Sequence, residues 1–344
     1  MINNLGKKIL VIGNQGYVGS VLVENLKKNT SSELLGLDCG IYSKLITSKH
    51  NPDQFLDEHY NQDVRNFDPK ILKNVQVVIY LAAISNDPMG NQYESLTREV
   101  NYLSCLKIAN QAKKFGVEKF IFASSCSVYG FGGKDSKKEE DKLDPLTPYA
   151  KSKIDSEEAL YKIADNKFKV VSLRFATACG MSPRLRLDLV LNDFVANAIL
   201  FKEINILSDG SAWRPLINVY DMAKAIEWAI KSSNSKINEN FLCLNTGSNN
   251  WNFKVIDLAK EVSKIIGPIP IKIGSKKETD KRSYKVDFTK FANLAPEINK
   301  NRKLYTTIIN LSQGIKNIKF LNKNFRESDF IRLNMLKKYM KNKT

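Results

Sequence analysis

Tyr149 and Lys153 stand four residues apart in the stretch TPYAKSK. On a helix that interval puts both side chains on one face, one turn apart. A free tyrosine has a pKa of about 10, too high for a base at neutral pH. A nearby ammonium favours the phenolate and lowers that value. The pair is a means of making a proton acceptor, although either residue also suits the polar face of an ordinary amphipathic helix. Upstream, IFASSCSVYG puts Ser124, Ser125 and Ser127 at the end of an apolar, strand-like run. One hydroxyl from this group can bind the same substrate oxygen as Tyr149. A third feature is VIGNQGYVGS, with Gly13, Gly16 and Gly19, and with Tyr17 and Val18 between the last two glycines. Gly13 permits a tight turn, Gly16 lets the backbone approach a pyrophosphate, and Gly19 lets the next helix pack close to a sheet. The start of that helix offers unpaired N–H groups to phosphate. The following strand-like run ends at Asp38, 19 residues after Gly19. A carboxylate there accepts hydrogen bonds from an adenosine ribose and repels a 2′-phosphate, which favours NAD over NADP. Further on, NQDVRN puts Asp63 and Val64 where an adenine can be held.

These residues need elements to hold them. KKILVIG, ELLGLD, VQVVIYLAA, KFIFASS and FKVVSLRFA read as strands. Several are continuous apolar runs, which suit parallel strands covered on both faces. Between them lie helical patterns: the segment after Gly16, ESLTREVNYLSCLKIANQAKKFG closed by Gly116, and YAKSKIDSEEALYKIA. Strands alternating with helices predict an α/β fold, a Rossmann-type doubly wound parallel sheet. After about residue 176 the alternation weakens. A loop leads into a helix at DLVLNDFVANAILF, INILSDG is strand-like, INVYDMAKAIEWAIKSS is a helix beginning near Asp221, and NWNFKVIDLAKEVSKIIG is a further helix. We expect residues 1–175, with about 215–248, to form the cofactor-binding part. Residues 176–214 and 249–330 form a smaller, discontinuous α/β substrate-binding lobe, and 331–344 form a solvated basic C-terminal tail.

Composition narrows the function classes. With 43% hydrophobic and 26% charged residues, the 344-residue chain is an ordinary globular protein with room for a large core. Its longest apolar stretches are about half of a membrane span, and its N-terminal apolar run is too short for a signal peptide. A cytoplasmic protein with no membrane partner is expected. Five scattered cysteines and two histidines predict no disulfide framework, no metal site and no Ser-His-Asp triad. The net charge of +17 comes from lysines spread along the chain. It forms no basic stripe interleaved with aromatics, so no nucleic-acid partner is expected.

Taken together, the glycine pattern, Asp38, LAA at Leu81, Ala82 and Ala83, Asn101 in a helix, SSCSVYG and YAKSK resemble the extended short-chain dehydrogenases/reductases. Within them the chain is similar to the NAD-dependent nucleotide-sugar epimerase/dehydratase family. The resemblance implies that Ser125 is the catalytic hydroxyl, Tyr149 the acid/base, and Lys153 the ligand of the nicotinamide ribose. It implies cofactor contacts at Gly13, Gly16, Tyr17, Val18, Gly19, Asp38, Asp63, Val64, Leu81, Ala82, Ala83, Asn101 and Ser124. It puts substrate contacts at Ser85, Ser125, Cys126, Asn192, Arg214 and Arg282, with Arg184 and Arg186 facing the same side. An arginine fork suits a diphosphate. Cys126 serves either as a weak acid or as a small packed residue. The 4,6-dehydratases of this resemblance carry an Asp-Glu pair after the catalytic hydroxyl, where this chain has Cys126 and Ser127. The 3,5-epimerase/reductases carry a cysteine and a histidine that are missing here. The expectation is a homodimeric, NAD-dependent epimerase of a nucleoside-diphosphate sugar that acts through transient oxidation, at C4. The alternatives are a C4 dehydrogenase or 4-keto reductase and, in a different class, a non-catalytic NAD-bound regulator or nucleic-acid-binding protein.

Overall fold

The structure, a computed structural model, describes residues 6–232, 239–274, 282–298, 303–318 and 324–341. Seven strands form the central sheet: β1 (Lys8–Ile12), β2 (Glu33–Asp38), β3 (Glu58–Asn61), β4 (Val77–Tyr80), β5 (Lys119–Ser125), β6 (Lys169–Phe175) and β7 (Phe241–Thr246). Their order is β7-β6-β5-β4-β1-β2-β3, and every neighbouring pair is parallel. The order reverses between β1 and β4, which opens a crevice beyond their carboxyl ends.

The continuous apolar runs have a direct cause. Successive strand residues point to opposite faces, and each face has its own core. Ile9, Val11, Val77, Ile79, Val171 and Leu173 enter one cluster. Leu10, Ile12, Val78, Tyr80, Phe120 and Phe122 enter the other. The first is covered by α1 (Tyr17–Asn29) and the second by α2 (Pro148–Ile163), together with the helix Ser104–Lys114. Helix α3 (Val219–Lys231) packs beside α1.

The remaining chain builds the second lobe from separate pieces. Thr177–Cys179 and Asn252–Lys254 flank Trp213–Asn218, one parallel and the other antiparallel. Ser283–Val286 pairs with Phe131–Lys137, and the helices Val190–Leu200, Val255–Ile266 and Leu304–Lys316 pack together.

Three expectations change. The segment NWNFK is not α-helical: a 3-10 turn at Asn249–Trp251 leads into Asn252–Lys254, which adds a strand to Trp213–Pro215, and the α-helix starts at Val255. The sequence analysis missed β3 and β7. The first is a short polar edge strand, EHYN, whose charged and polar residues carry no apolar signal. The tail is not simply solvated. Arg332–Lys341 is a helix, α4, that buries Arg332 and Leu336. Residues 342–344 of that segment lie outside the described residues. Among the described residues, no helix is long and apolar enough to cross a membrane.

Candidate active site

The loops that leave the strand ends line one cavity of about 900 Å³. At its base, the β1–α1 loop is made of backbone. Gly13 has φ +89°, and a Cβ there would stand 2.6 Å from the Ala82 amide nitrogen. A Cβ on Gly19 would stand 2.3 Å from the Gly13 carbonyl, so this glycine lets α1 start against the loop. Gly16 caps α1 in an extended conformation, with no acidic residue in the first turn and no side chain covering the free N–H groups. That end of α1 is suited to anionic oxygens. Asp38 at the end of β2 accepts hydrogen bonds from the Gln15 and Gly40 amides, at 3.1 and 3.0 Å. Burial raises its pKa, against those two bonds.

The Tyr149–Lys153 pair is set by the start of α2. Thr147 caps the helix by accepting from the Ala150 N–H, and Pro148 occupies the first turn. Tyr149 therefore emerges at the helix mouth, beside the end of β5. The Ser127 amide donates to Ser125 Oγ at 3.1 Å, leaving the Ser125 hydroxyl proton free to reach the Tyr149 phenol. The apolar surroundings push the phenol pKa up, opposed first by the hydrogen bond from Ser125 and then by the charge of Arg186.

Lys153 is placed differently from the simple expectation. Its Nζ donates to the Ala123 carbonyl at 2.7 Å and lies 4.8 Å from the Phe122 ring centroid and 5.7 Å from that of Tyr149. It does not stand against the phenol oxygen, and burial lowers its own pKa to about 8.

Most of the sequence-predicted residues meet in this cleft: Gly13, Gly16, Tyr17, Val18 and Gly19; Asp38, Asp63 and Val64; Leu81, Ala82, Ala83 and Ser85; and Ser124, Ser125, Tyr149, Lys153, Arg214 and Arg282. Ser127 lines it too, and among the described residues the buried Ser124 and Ser127 hydroxyls have no hydrogen-bond partner. Arg184 and three other residues do not line it. The Asn101 amide binds both backbone groups of Ile84 and the Ser152 hydroxyl, so it clamps the β4 loop to α2 from behind. Cys126 is 1% exposed, with its thiol donating to the Arg174 carbonyl, because its side chain turns into the core beneath β5. Asn192 is fully buried, holding Gly180, Tyr17 and Arg186 together. Its neighbour Tyr17 reaches the cleft with its body, while its hydroxyl donates to the Gly180 carbonyl.

The arginines are already engaged. Arg282 pairs with Asp87, whose other oxygen accepts from Thr147 at 2.5 Å. Arg214 donates to the Arg282 and Trp213 carbonyls. Arg186 grips Asp188 with two nitrogens and donates to Ser85 at 2.9 Å. Arg184 turns away from the cleft and pairs with Asp53 at 2.9 Å. Sequence reasoning missed Asp87, Asp188 and the residues of α4. For α4 a signal existed: Leu333, Leu336 and Met340 repeat at helical spacing, beneath a basic composition that suggested a solvated end.

The loop made of backbone, the Asp38 carboxylate and the unpartnered Ser124 hydroxyl fit a dinucleotide. Comparison with known proteins agrees. The sequence model of the NAD dependent epimerase/dehydratase family matches residues 9–243. The chain is 25% identical over 312 residues to the UDP-glucose 4-epimerase of Lactobacillus helveticus, covering 82% of this chain and 89% of that protein. It is 29% identical over 229 residues to YtcB, an uncharacterized UDP-glucose epimerase of Bacillus subtilis, covering 64% and 71%. The fold is that of the UDP-glucuronic acid 4-epimerase of Bacillus cereus, solved with UDP-glucuronic acid and NAD. The TM-score is 0.76 at 23% identity, over 90% of this chain and 99% of that one. On the sequence match and the cleft together, the chain belongs to the NAD-dependent epimerase/dehydratase family.

Proposed function

We propose that the protein is a nucleoside-diphosphate-sugar epimerase that inverts C4 by transient oxidation. NAD bound in this cleft would supply the hydride acceptor for the sugar carbon and the donor for its return. The chain's own residues do the rest. Tyr149 as phenolate takes the C4 hydroxyl proton while the C–H bond breaks, leaving a ketone on the sugar. After the sugar presents its other face, Tyr149 returns the proton to the new C4 oxygen. Ser125 donates a hydrogen bond to the same sugar oxygen. Lys153 holds the nicotinamide ribose and keeps a positive charge within the site. Gly13, Gly16 and Gly19 receive the pyrophosphate, and Asp38 the adenosine ribose. Arg214 and Arg282 grip the diphosphate of the sugar nucleotide, Arg282 exchanging Asp87 for phosphate.

The observation that carries this reading is the Ser125–Tyr149–Lys153 set at one end of a cleft whose other end is the glycine loop and Asp38. Dehydration has less support: the two positions after Ser125 are the buried Cys126 and Ser127, neither of which is a carboxylate. The test is incubation of the purified protein with UDP-hexoses and UDP-hexuronic acids in deuterated water, followed by NMR. Interconversion of C4 epimers without solvent deuterium at C4 is expected. No turnover on any nucleotide sugar would remove the reading.

A further inference from the structure

We propose that α4, the C-terminal helix, is the outer wall of the cofactor cleft and retains NAD there, with Arg332 as the cation that meets its phosphates. This rests on the NAD-dependent reading above.

The argument begins with strand order. The sheet runs β4-β1-β2, so the glycine loop after β1 lies between the loop after β2 and the loop after β4. Leu336 is fully buried against Ile84 and Met89, which follow β4, and Ile41, which follows β2, packs on the same cluster. A helix that touches both flanking loops spans the strand end between them, a gap of about 10 Å for two strand spacings. Ile331, Arg332, Leu333, Leu336, Tyr339 and Met340 accordingly line the same cleft as Gly16 and Asp38. The approach to α4 is fastened as well. The Leu187 amide donates to the Phe330 carbonyl at 3.0 Å, and Arg326 pairs with Asp193 at 3.0 Å.

Arg332 gives this wall its chemistry. It is 1% exposed, stacked 4.2 Å from the Tyr42 ring centroid and donating to the Arg184 carbonyl at 2.8 Å. The two other arginines nearby have carboxylate partners, Arg184 with Asp53 and Arg186 with Asp188. Among the described residues, no carboxylate pairs with Arg332. A guanidinium that deep without an anion is costly. The cost shows in its pKa, which burial pushes down to about 10. Its Nη1 reaches the Met335 thioether at 3.5 Å, a weak acceptor, and the residue lines the cleft that also holds the start of α1, where a phosphate would supply the missing charge. Retention also suits the chemistry: an epimerase that returns the hydride to the same sugar must not lose its reduced cofactor midway.

The test uses full-length Arg332→Gln, Arg332→Lys and Leu336→Ser, loaded with NADH. Release is followed by fluorescence loss in excess NAD, and UDP binding and cofactor-free melting are measured beside it. We expect release at least tenfold faster for Arg332→Gln and Leu336→Ser, a smaller change for Arg332→Lys, and unchanged UDP affinity. Folded variants that release NADH at the wild-type rate overturn the proposal, as does a fall in cofactor-free melting with no change in release. A wild-type chain that binds no NADH overturns this proposal and the cofactor reading together. A wild type that holds NADH as loosely as the variants overturns this proposal alone.

Discussion

The two sides of the cleft are built by opposite means. On the β1–β2 side the surface offered to a ligand is backbone: Gly13, Gly16 and the free start of α1, with Asp38 held by two amides. Nothing there has to move before a pyrophosphate arrives. On the far side the surface is long side chains that already have partners. Arg282 is on Asp87, Arg214 on the Arg282 carbonyl, and Arg186 on Asp188 and Ser85. A ligand on that side must exchange one ion pair for another, so part of each new bond replaces an old one. The glycine-loop side is thus preorganised for a ligand, while the arginine side has existing bonds to exchange. Tyr149 stands at the seam, on a helix start that Thr147 ties to Asp87 and so to the arginine side.

Breaking the seam has the largest expected effect. Tyr149→Phe keeps the ring and removes the acid/base, so turnover should fall by about 10²–10⁴ while NAD binding and melting stay as in wild type. A folded, NAD-bound variant with wild-type turnover on the true substrate rules the mechanism out. In the wild type the rate should climb with pH, because the surroundings hold this phenol above its ordinary pKa.

Next comes Lys153, with a pH signature. Burial takes its pKa from 10.5 to about 8. Between those values the unfolded chain holds more protons than the folded one, so stability rises with pH across that window. In cofactor-free protein, Lys153→Met should abolish a rise of up to about 3 kcal/mol between pH 8 and 10.5. Denaturant melts at the two pH values measure it, and parallel curves for both proteins would show that the ammonium is not paying for its burial. The same variant should bind NAD more weakly, unlike Tyr149→Phe.

The contrast between sides is sharpened by Arg282→Ala and Arg214→Ala. Each should weaken nucleotide-sugar binding by about 2 kcal/mol, through lost charge-assisted hydrogen bonds, and leave NAD affinity unchanged. Calorimetry with both ligands decides: a parallel loss of the two affinities would mean that the sides are not independent.

The smallest effect belongs to Asp38. NAD should bind at least tenfold more tightly than NADP, about 1.4 kcal/mol, and Asp38→Ala should narrow that gap. Equal affinities in the wild type would detach Asp38 from the ribose.

Legibility in the sequence followed the same division. Local features were readable because their physics is local. A tight turn demands Gly13, the helical pattern after Tyr149 marks α2, and apolar runs buried on two faces announce β1, β4, β5 and β6. Features that depend on distant partners were not readable. Asn192, Asn101 and Cys126 are polar or reactive residues near the motifs, and spacing alone cannot distinguish a side chain aimed into a cleft from one that ties the wall together. Asp87 gains its meaning only from an arginine 195 residues away.

What the sequence determined by itself is the class of sheet, from the alternation of apolar runs with helical patterns, and the glycine loop and the Tyr-Lys spacing, each set by residues within one or two turns of one another. Tertiary structure alone decided where Lys153 points, which arginines are engaged and by what, and that the basic C-terminal segment is a wall rather than a tail. The reason is physical. Leu336 and Arg332 leave solvent only because Ile41, Tyr42, Ile84 and Met89 are brought to one place by the β4-β1-β2 strand order. The helical spacing of Leu333, Leu336 and Met340 marks an apolar face, but only the strand order says what covers it.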